Sequence, residues 1–245
     1  MDRKYELLKD NYINYCGKAL YRIKALRDFG YIKKGELGGY IQSENNLSHD
    51  GECWVYGNAC IYDNARVYGN AFIYDNAFVC GNAKVYGNAK VYGNAKICGN
   101  ACIYGHAKVY EGACIYENAK MHGYAEAYGD SCICGNANIH GEAQIYRNAK
   151  VSGNININKG HIVGKVSMPY KDIFQYQCEN RVLTAILTED NKILYSIGCQ
   201  ENLTKEKFIY RIHSTFGGLK ENPHRAEYLR LIKTINFHFK EKLNN

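Results

Sequence analysis

The sequence predicts a mainly β protein of 245 residues whose central part, residues 37–166, is a solenoid of short stacked strands. From Val55 to Asn156 the chain repeats six residues without interruption, which makes seventeen consecutive hexads. Twelve of its 24 glycines occupy the same position of these hexads and it has only two prolines, a distribution typical of a repeat and not of linkers. So short a period points to units that stack on one another, because one repeat cannot bury its apolar side alone.

The six slots of the hexad, numbered from Val55, carry different residue types. The first is almost always Val or Ile, which suits a short buried strand. The third and fourth are mostly Gly and Asn, which tolerate the backbone of a tight corner. The fifth is almost always Ala, as expected of a crowded inward position, while the second is mostly Tyr and the sixth varies. Each hexad should form one strand and one corner, and three hexads should close one coil of eighteen residues.

This pattern resembles the hexapeptide-repeat family, whose coils form a left-handed parallel β-helix. The shared features are the aliphatic first slot and the small fifth slot. Tyr in the second slot departs from the small residue that the family often has there. Twenty hexads from Leu37 to Asn156 make about 6.7 coils, so the resemblance implies a prism roughly 30 Å long at ~4.8 Å per coil.

Second-slot side chains eighteen residues apart should stack on one face and point outward. The first face, which we call the tyrosine face, carries Tyr56, Tyr74, Tyr92, Tyr110, Tyr128 and Tyr146. The second carries Tyr62, Cys80, Cys98, Tyr116, Cys134 and Ser152. The third carries Tyr68, Tyr86, Tyr104, His122, His140 and Asn158. The expected sixth-slot neighbours of the tyrosines are Cys60, Phe78, Lys96, Cys114, Cys132 and Lys150.

The tyrosine face is the predicted interaction surface. A long aromatic stripe exceeds what a monomer usually exposes, and Tyr is common in binding hot spots. The partner is either a second copy of the chain, which would make a homo-oligomer, or a foreign protein. The competing interpretation is that like aromatic rings in register stack favourably and need no partner.

The two flanking segments are predicted to cover the open ends of the strand stack, which would otherwise aggregate. Residues 1–36 read as a small β-rich or mixed N-terminal cap. Residues 167–245 read as an α+β domain with three strands, in DIFQYQ, RVLTAIL and KILYSIG, and two helices, in LTKEKFIYRIHSTF and HRAEYLRLIKTINFHF. Thr204 is the expected N-cap of the first helix.

Charge and composition restrict the classes of partner. The net charge is +7, but residues 37–166 carry ten basic and ten acidic side chains, so the excess lies in the two ends. Contact with nucleic acid should therefore be weak and confined to those ends. No run approaches ~18 apolar residues, so no membrane span is expected. No secretory leader is recognisable, which predicts a cytoplasmic protein whose 11 cysteines are free thiols.

Three histidines are the candidate residues for an enzymatic or a metal-binding alternative. Many hexapeptide-repeat proteins are acyltransferases with a catalytic His and a long loop between coils, and here His106 or His122 would be the base. No loop interrupts the hexads, which argues against catalysis. A zinc-binding branch of the same fold suggests a metal at His122 and His140, but two ligands are too few. The sequence thus predicts no catalytic residue, no metal and no cofactor.

Over nearly its full length the chain resembles uncharacterised phage and prophage proteins. The resemblance rests on the entry segment LYRIKALRDFG, KKGELGGYIQ and NLS, on the YGNA hexads, and on Ile197-Gly198-Cys199 before a helix. It implies a phage-encoded, non-enzymatic binding protein in the host cytoplasm that inhibits a host defence protein, an RNA-guided nuclease being one candidate, as anti-CRISPR proteins do. The alternatives are a hexapeptide-repeat acyltransferase and a self-associating structural protein.

Overall fold

The computed structural model describes residues 3–166, 172–178, 181–188, 190–197, 200–216 and 223–243. The chain divides into two compact units, residues 1–162 and residues 163–245. The first unit contains the solenoid and the segment that precedes it. The sequence predicts that the solenoid ends at residue 166, four residues after the end of the first unit.

The solenoid strands are two residues long, and each except the last joins the sixth slot of one hexad to the first slot of the next. Their bounds are β4 Trp54–Val55, β5 Cys60–Ile61, β6 Arg66–Val67, β7 Phe72–Ile73, β8 Phe78–Val79, β9 Lys84–Val85, β10 Lys90–Val91, β11 Lys96–Ile97, β12 Cys102–Ile103, β13 Lys108–Val109, β14 Cys114–Ile115, β15 Lys120–Met121, β16 Glu126–Ala127, β17 Cys132–Ile133, β18 Asn138–Ile139, β19 Gln144–Ile145, β20 Lys150–Val151, β21 Asn156–Ile157 and β22 His161–Ile162. The last strand lies one residue earlier in the repeat, since its His161 pairs with Gln144, seventeen residues before it.

Successive coils stack in register, so the strands form three parallel sheets, one per face. The orders are β4-β7-β10-β13-β16-β19-β22 for the tyrosine face, β5-β8-β11-β14-β17-β20 for the second and β6-β9-β12-β15-β18-β21 for the third. Val91, for example, pairs with Val109, eighteen residues on. The predicted mainly β fold, a parallel solenoid of about seven coils, is confirmed.

The interior consists of two sets of apolar columns. First-slot residues such as Val91 and Ile97, and fifth-slot residues such as Ala95 and Ala101, are fully buried. The strand places first-slot side chains inward, while the corner turns the small Ala side chain inward as well. This is why the second and sixth slots, which do not face the interior, can vary in size without disturbing the core.

The third-slot corner requires a left-handed backbone. At Gly99, where φ is +68°, an added Cβ would lie 2.8 Å from the Glu117 nitrogen one coil away. Asp75 and Glu111 occupy the same slot with φ of +58° and +57°. Their carboxylates accept hydrogen bonds from the corner amides of Gly93 and Gly129 at 3.0 and 2.8 Å. Such charge-assisted bonds offset the strain that a side chain brings to this backbone.

A β-hairpin precedes the solenoid and extends the sheet of its second face. Its strands β1 (Tyr5–Tyr15) and β2 (Lys18–Ala25) are antiparallel, β2 pairs with β3 (Leu37–Ile41), and β3 runs parallel to β5. A 3₁₀ turn follows at Glu44–Asn46.

The start of the hairpin buries a lysine that the sequence reading did not single out. Lys4 is fully buried, and its Nζ donates to the carbonyls of Cys53 and Gly51 at 2.9 and 3.3 Å. Burial lowers the pKa of Lys4. Tyr5 packs beside it and donates to the Leu47 carbonyl at 2.6 Å. These bonds satisfy the Lys4 ammonium and the Tyr5 hydroxyl where the hairpin meets the first coil.

The second unit combines an antiparallel sheet with two helices. After the short β23 (Lys165–Val166), its strands are β24 Asp172–Cys178, β25 Arg181–Leu187, β26 Ile193–Ile197 and β27 Gln200–Leu203, and its helices are α1 Lys205–Phe216 and α2 Pro223–Leu243. The sheet order is β24-β25-β26-β27. The three predicted strands and both helices are present, and β27 is an additional strand.

The core of this unit lies between sheet and helices. It includes Leu183, Tyr195, Phe208, Leu231, Ile235 and Phe239. At the start of α1 the Thr204 hydroxyl accepts a bond from the Lys207 amide at 3.4 Å, which agrees with the predicted N-cap. Among the helical residues given above, no helix is long and apolar enough to cross a membrane.

Candidate interaction faces

The six tyrosines of the tyrosine face follow directly after the strands of one sheet, as predicted, and all are partly buried. From Tyr92 to Tyr146 their rings stack at centroid distances of 4.9–5.1 Å. Tyr56 and Tyr74 form a second stack at 5.0 Å. Between Tyr74 and Tyr92 the rings are perpendicular, with 6.3 Å between centroids. The face therefore presents two ring stacks of partly buried tyrosines.

The sixth-slot residues beside these tyrosines differ from those predicted, which was an error of register. The predicted set, Cys60 to Lys150, lies on the second face. The tyrosine face instead carries Trp54, Phe72, Lys90, Lys108, Glu126 and Gln144 in its sixth slots, and His161 takes the same place in its last strand. The reason is that a strand begins in the sixth slot of the preceding hexad, so a corner separates each Tyr from the sixth slot of its own hexad.

One polar cluster marks the middle of the tyrosine face. Lys108 Nζ donates to Glu126 Oε1 at 2.7 Å, and the Tyr110 hydroxyl donates to Glu126 Oε2 at 3.2 Å. Burial raises the pKa of Tyr110, and the negative charge of Glu126 raises it further. Tyr110 is thus a hydrogen-bond donor held in one orientation by its stack and its carboxylate.

The third face carries a ring stack that the sequence reading did not recognise. Five rings follow one another at 4.6–5.1 Å with interplanar angles of 3–8°. They belong to Tyr68, Tyr86, Tyr104, His122 and His140, and we call this surface the mixed-ring face. The residues in the second slot could have predicted this stack, because the imidazole ring of His stacks as a phenol ring does. Continuous aromatic stacking is therefore no special property of the tyrosine face.

The three histidines considered as catalytic or metal-binding residues are members of aromatic ring stacks. His122 and His140 each place Nε2 against an asparagine Oδ1, at 3.2 Å from Asn138 and 3.0 Å from Asn156. Burial lowers the pKa of His122, and the neighbouring His140 lowers it further. His106 is exposed on a corner and stacks on Tyr124 at 4.9 Å. In the part of the chain that the structure covers, no three His, Cys, Asp or Glu side chains group as a metal site.

The second face, which we call the thiol face, holds cysteines in both outward slots. Its sixth slots are Cys60, Phe78, Lys96, Cys114, Cys132 and Lys150. Near its first coil the hairpin residue Tyr15 stacks on Phe78 at 5.0 Å and contacts Tyr62 at 5.6 Å. Lys18 of the hairpin forms an ion pair with Asp63. This end of the face is thus covered by the hairpin.

Three strongly exposed aromatic residues of the first unit were missed by the sequence reading. Tyr31 is 91% exposed on the turn between β2 and β3, Tyr124 is 64% exposed on a corner, and Tyr12 is 58% exposed on β1. Tyr12 and Tyr31 lie outside the repeat, so no column pattern marks them. Tyr124 stands in a fourth slot that is usually Asn, which was an available signal.

Comparison with other proteins does not narrow the function. No protein-family model matches the chain, and no curated protein matches it.

Proposed function

We propose that the chain is a non-enzymatic binding protein whose tyrosine face docks a partner protein. The observation that carries this proposal is the ordered row of Tyr92, Tyr110, Tyr128 and Tyr146 on a sheet without inserted loops. The stacked rings are already held in place, so binding would cost little side-chain entropy. Ring edges and hydroxyls offer both apolar area and hydrogen bonds, which makes Tyr frequent at interfaces.

Charge supports a protein as the partner. The tyrosine face mixes Lys90 and Lys108 with Glu126, and residues 37–166 have no net charge. Nucleic acid binding depends on a surplus of Lys and Arg that neutralises phosphates. We therefore expect nucleic acid contact to be weak and limited to the basic ends of the chain.

The finer proposal is that the chain is phage-encoded and inhibits a host defence protein, with an RNA-guided nuclease as the candidate partner. It is supported by the sequence resemblance to phage and prophage proteins, and it implies the host cytoplasm as the place of action. The competing proposal is that a second copy of the chain binds this face. No contact of His106 or His122 favours the acyltransferase alternative.

The test uses two matched double variants. Tyr92→Ala with Tyr110→Ala removes adjacent rings, 4.9 Å apart, from the tyrosine face, and Tyr86→Ala with Tyr104→Ala removes adjacent rings, 5.0 Å apart, from the mixed-ring face. The tagged proteins are retrieved from infected host lysate and their partners identified by mass spectrometry. In parallel, they are expressed in cells where an RNA-guided nuclease destroys a target plasmid.

We expect the unaltered chain and the mixed-ring variant to retain one host protein and to protect the plasmid, and the tyrosine-face variant to lose both properties. Recovery of the chain's own copies alone would contradict the proposal and favour the self-associating alternative. Equal loss in both variants, with folding intact by circular dichroism, would show that the tyrosine face is not special. Binding without plasmid protection would contradict only the finer proposal.

A further inference from the structure

Cysteines on the outward slots of the solenoid are concentrated on one face. Seven cysteines occupy such slots, and the thiol face holds six of them: Cys60, Cys80, Cys98, Cys114, Cys132 and Cys134. Only Cys102 lies elsewhere, on the mixed-ring face. These slots do not face the interior that the three faces share, so filling that interior does not explain why Cys is concentrated on one face. The distribution calls for a role specific to this face.

Four of these cysteines form two pairs on consecutive coils. The Cys80 amide donates to the Ile97 carbonyl at 2.9 Å, which sets Cys80 beside Cys98 in the stack. Cys114 and Cys132 are register partners in β14 and β17. All four side chains are partly exposed and carry free thiols.

The surroundings favour a charged sulfur at Cys80 alone. The hydrogen bond with Cys80 and burial raise the pKa of Cys98, and burial raises the pKa of Cys114. Hydrogen bonds from the Cys98 thiol and the Tyr62 hydroxyl lower the pKa of Cys80, although burial opposes the shift. At Cys80 the positive charge of Lys18 is outweighed by the negative charge of Asp63, and at Cys98 Lys96 opposes the upward pKa shift only in part. In the second pair the Cys132 thiol donates to the Tyr116 hydroxyl at 3.3 Å.

We propose that the pairs Cys80–Cys98 and Cys114–Cys132 each bind one soft monovalent cation of the Cu(I) class as a bridge between coils. Thiolates select Cu(I) over harder ions. Each pair would lose its two thiol protons on binding, and the resulting S–Cu–S group would carry one negative charge. Lys96 offsets part of that charge at the first pair, whereas Lys18 is already paired with Asp63.

The coil spacing decides between this bridge and a disulfide. Adjacent strands lie about 4.8 Å apart, whereas a disulfide requires Cβ atoms about 3.5–4.5 Å apart and sulfurs about 2 Å apart. Two metal–thiolate bonds of about 2.3 Å each, placed in line, span nearly the coil spacing without moving the backbone. A tetrahedral zinc site would need further ligands, and no such group occurs among the described residues.

The test titrates the reduced full-length protein anaerobically with Cu(I) in competition with a coloured Cu(I) chelator. We expect two equivalents to be retained, with X-ray absorption showing two sulfur neighbours per copper. Cys80→Ser and Cys98→Ser should each lower the stoichiometry to one, and the double variant should also retain one, because a bridge needs both sulfurs. Ser is tolerated in this slot, as Ser152 shows. The matched control Cys102→Ser should retain two.

Three outcomes would overturn the proposal. The unaltered protein could yield all its copper to the chelator. Cys102→Ser could lower the stoichiometry as much as Cys80→Ser. The double variant could lose as much bound copper as the two single variants together, which would mean that the two sulfurs bind copper independently.

Discussion

On the tyrosine face the rings from Tyr92 to Tyr146 stack at 4.9–5.1 Å, and on the mixed-ring face the rings from Tyr68 to His140 stack at 4.6–5.1 Å. Both stacks stand on strands of two residues with the same buried columns beneath. The spacing of the rings is therefore imposed by the coil and does not by itself distinguish the two faces. The difference lies in the polar partners, which are Lys108 and Glu126 on one face and Asn138 and Asn156 on the other.

The largest effect is expected from a change beneath all faces at once. Ala95→Leu would force three extra carbon atoms into a fully buried column, at a cost of about 1–3 kcal/mol in the free energy of unfolding, or more. Chemical denaturation measures this loss. Lys96→Leu, the adjacent outward substitution, is the control and should shift stability by about 0.5 kcal/mol or less. Similar losses in both variants would contradict a common packed interior.

The two double variants compare the faces themselves. Tyr92→Ala with Tyr110→Ala and Tyr86→Ala with Tyr104→Ala each remove three ring contacts. We expect about 0.5–1.5 kcal/mol for each lost pair, beyond the lost burial, and so similar losses of unfolding free energy. A much smaller loss on the tyrosine face would mean that stacking does not account for its rings, and would sharpen the contrast with the mixed-ring face.

A smaller effect is expected at the polar cluster that distinguishes the tyrosine face. Glu126→Gln removes a negative charge beside the Tyr110 hydroxyl, so the pKa of Tyr110 should fall towards its ordinary value. Alkaline titration of tyrosine absorbance should show one group ionising earlier, and Tyr110→Phe should abolish that change. Stability should change by about 1 kcal/mol or less, as is usual for a partly exposed ion pair. An unchanged titration would show that Glu126 does not raise the pKa of Tyr110.

The smallest effect concerns His122 on the mixed-ring face. Its pKa in the folded protein is lowered, so the unfolded chain takes up the proton first as the pH falls. Stability should therefore decrease from about pH 6.5, the ordinary His value, through the folded-state pKa of His122. His122→Tyr continues the ring stack without titrating and should reduce this dependence. Thermal unfolding of the unaltered chain and of His122→Tyr at pH 7 and pH 5 measures this dependence. An equal loss of stability in both proteins at pH 5 would contradict the role of His122.

The sequence predicts the solenoid well because its rules are local. A branched first slot, a corner at Gly-Asn and a crowded fifth slot each restrict one residue position, and their repetition fixes the coil. The same rules place Tyr56 to Tyr146 on one face. The sixth-slot neighbours were assigned wrongly because hexads numbered from Val55 cut each strand in two, so Glu126 was not recognised beside Tyr110.

Other features depend on contacts that no repeat encodes. The perpendicular rings of Tyr74 and Tyr92 result from side-chain rotation. The burial of Lys4 depends on how the hairpin meets the first coil, since its partners are carbonyls of Gly51 and Cys53. The thiol pairs follow from the period of eighteen, but they become a candidate site only when strand register and hydrogen bonding are known.

The most direct test of the functional account is the affinity of the identified partner for the two double variants, measured by calorimetry under one buffer condition. Both variants lose comparable stacking, so the measurement separates a surface role from a structural one. We expect Tyr92→Ala with Tyr110→Ala to weaken binding about tenfold or more, since hot-spot residues cost more than ~1 kcal/mol each, and Tyr86→Ala with Tyr104→Ala to leave it nearly unchanged. Equal affinities of the two variants would contradict the assignment of the tyrosine face as the binding surface.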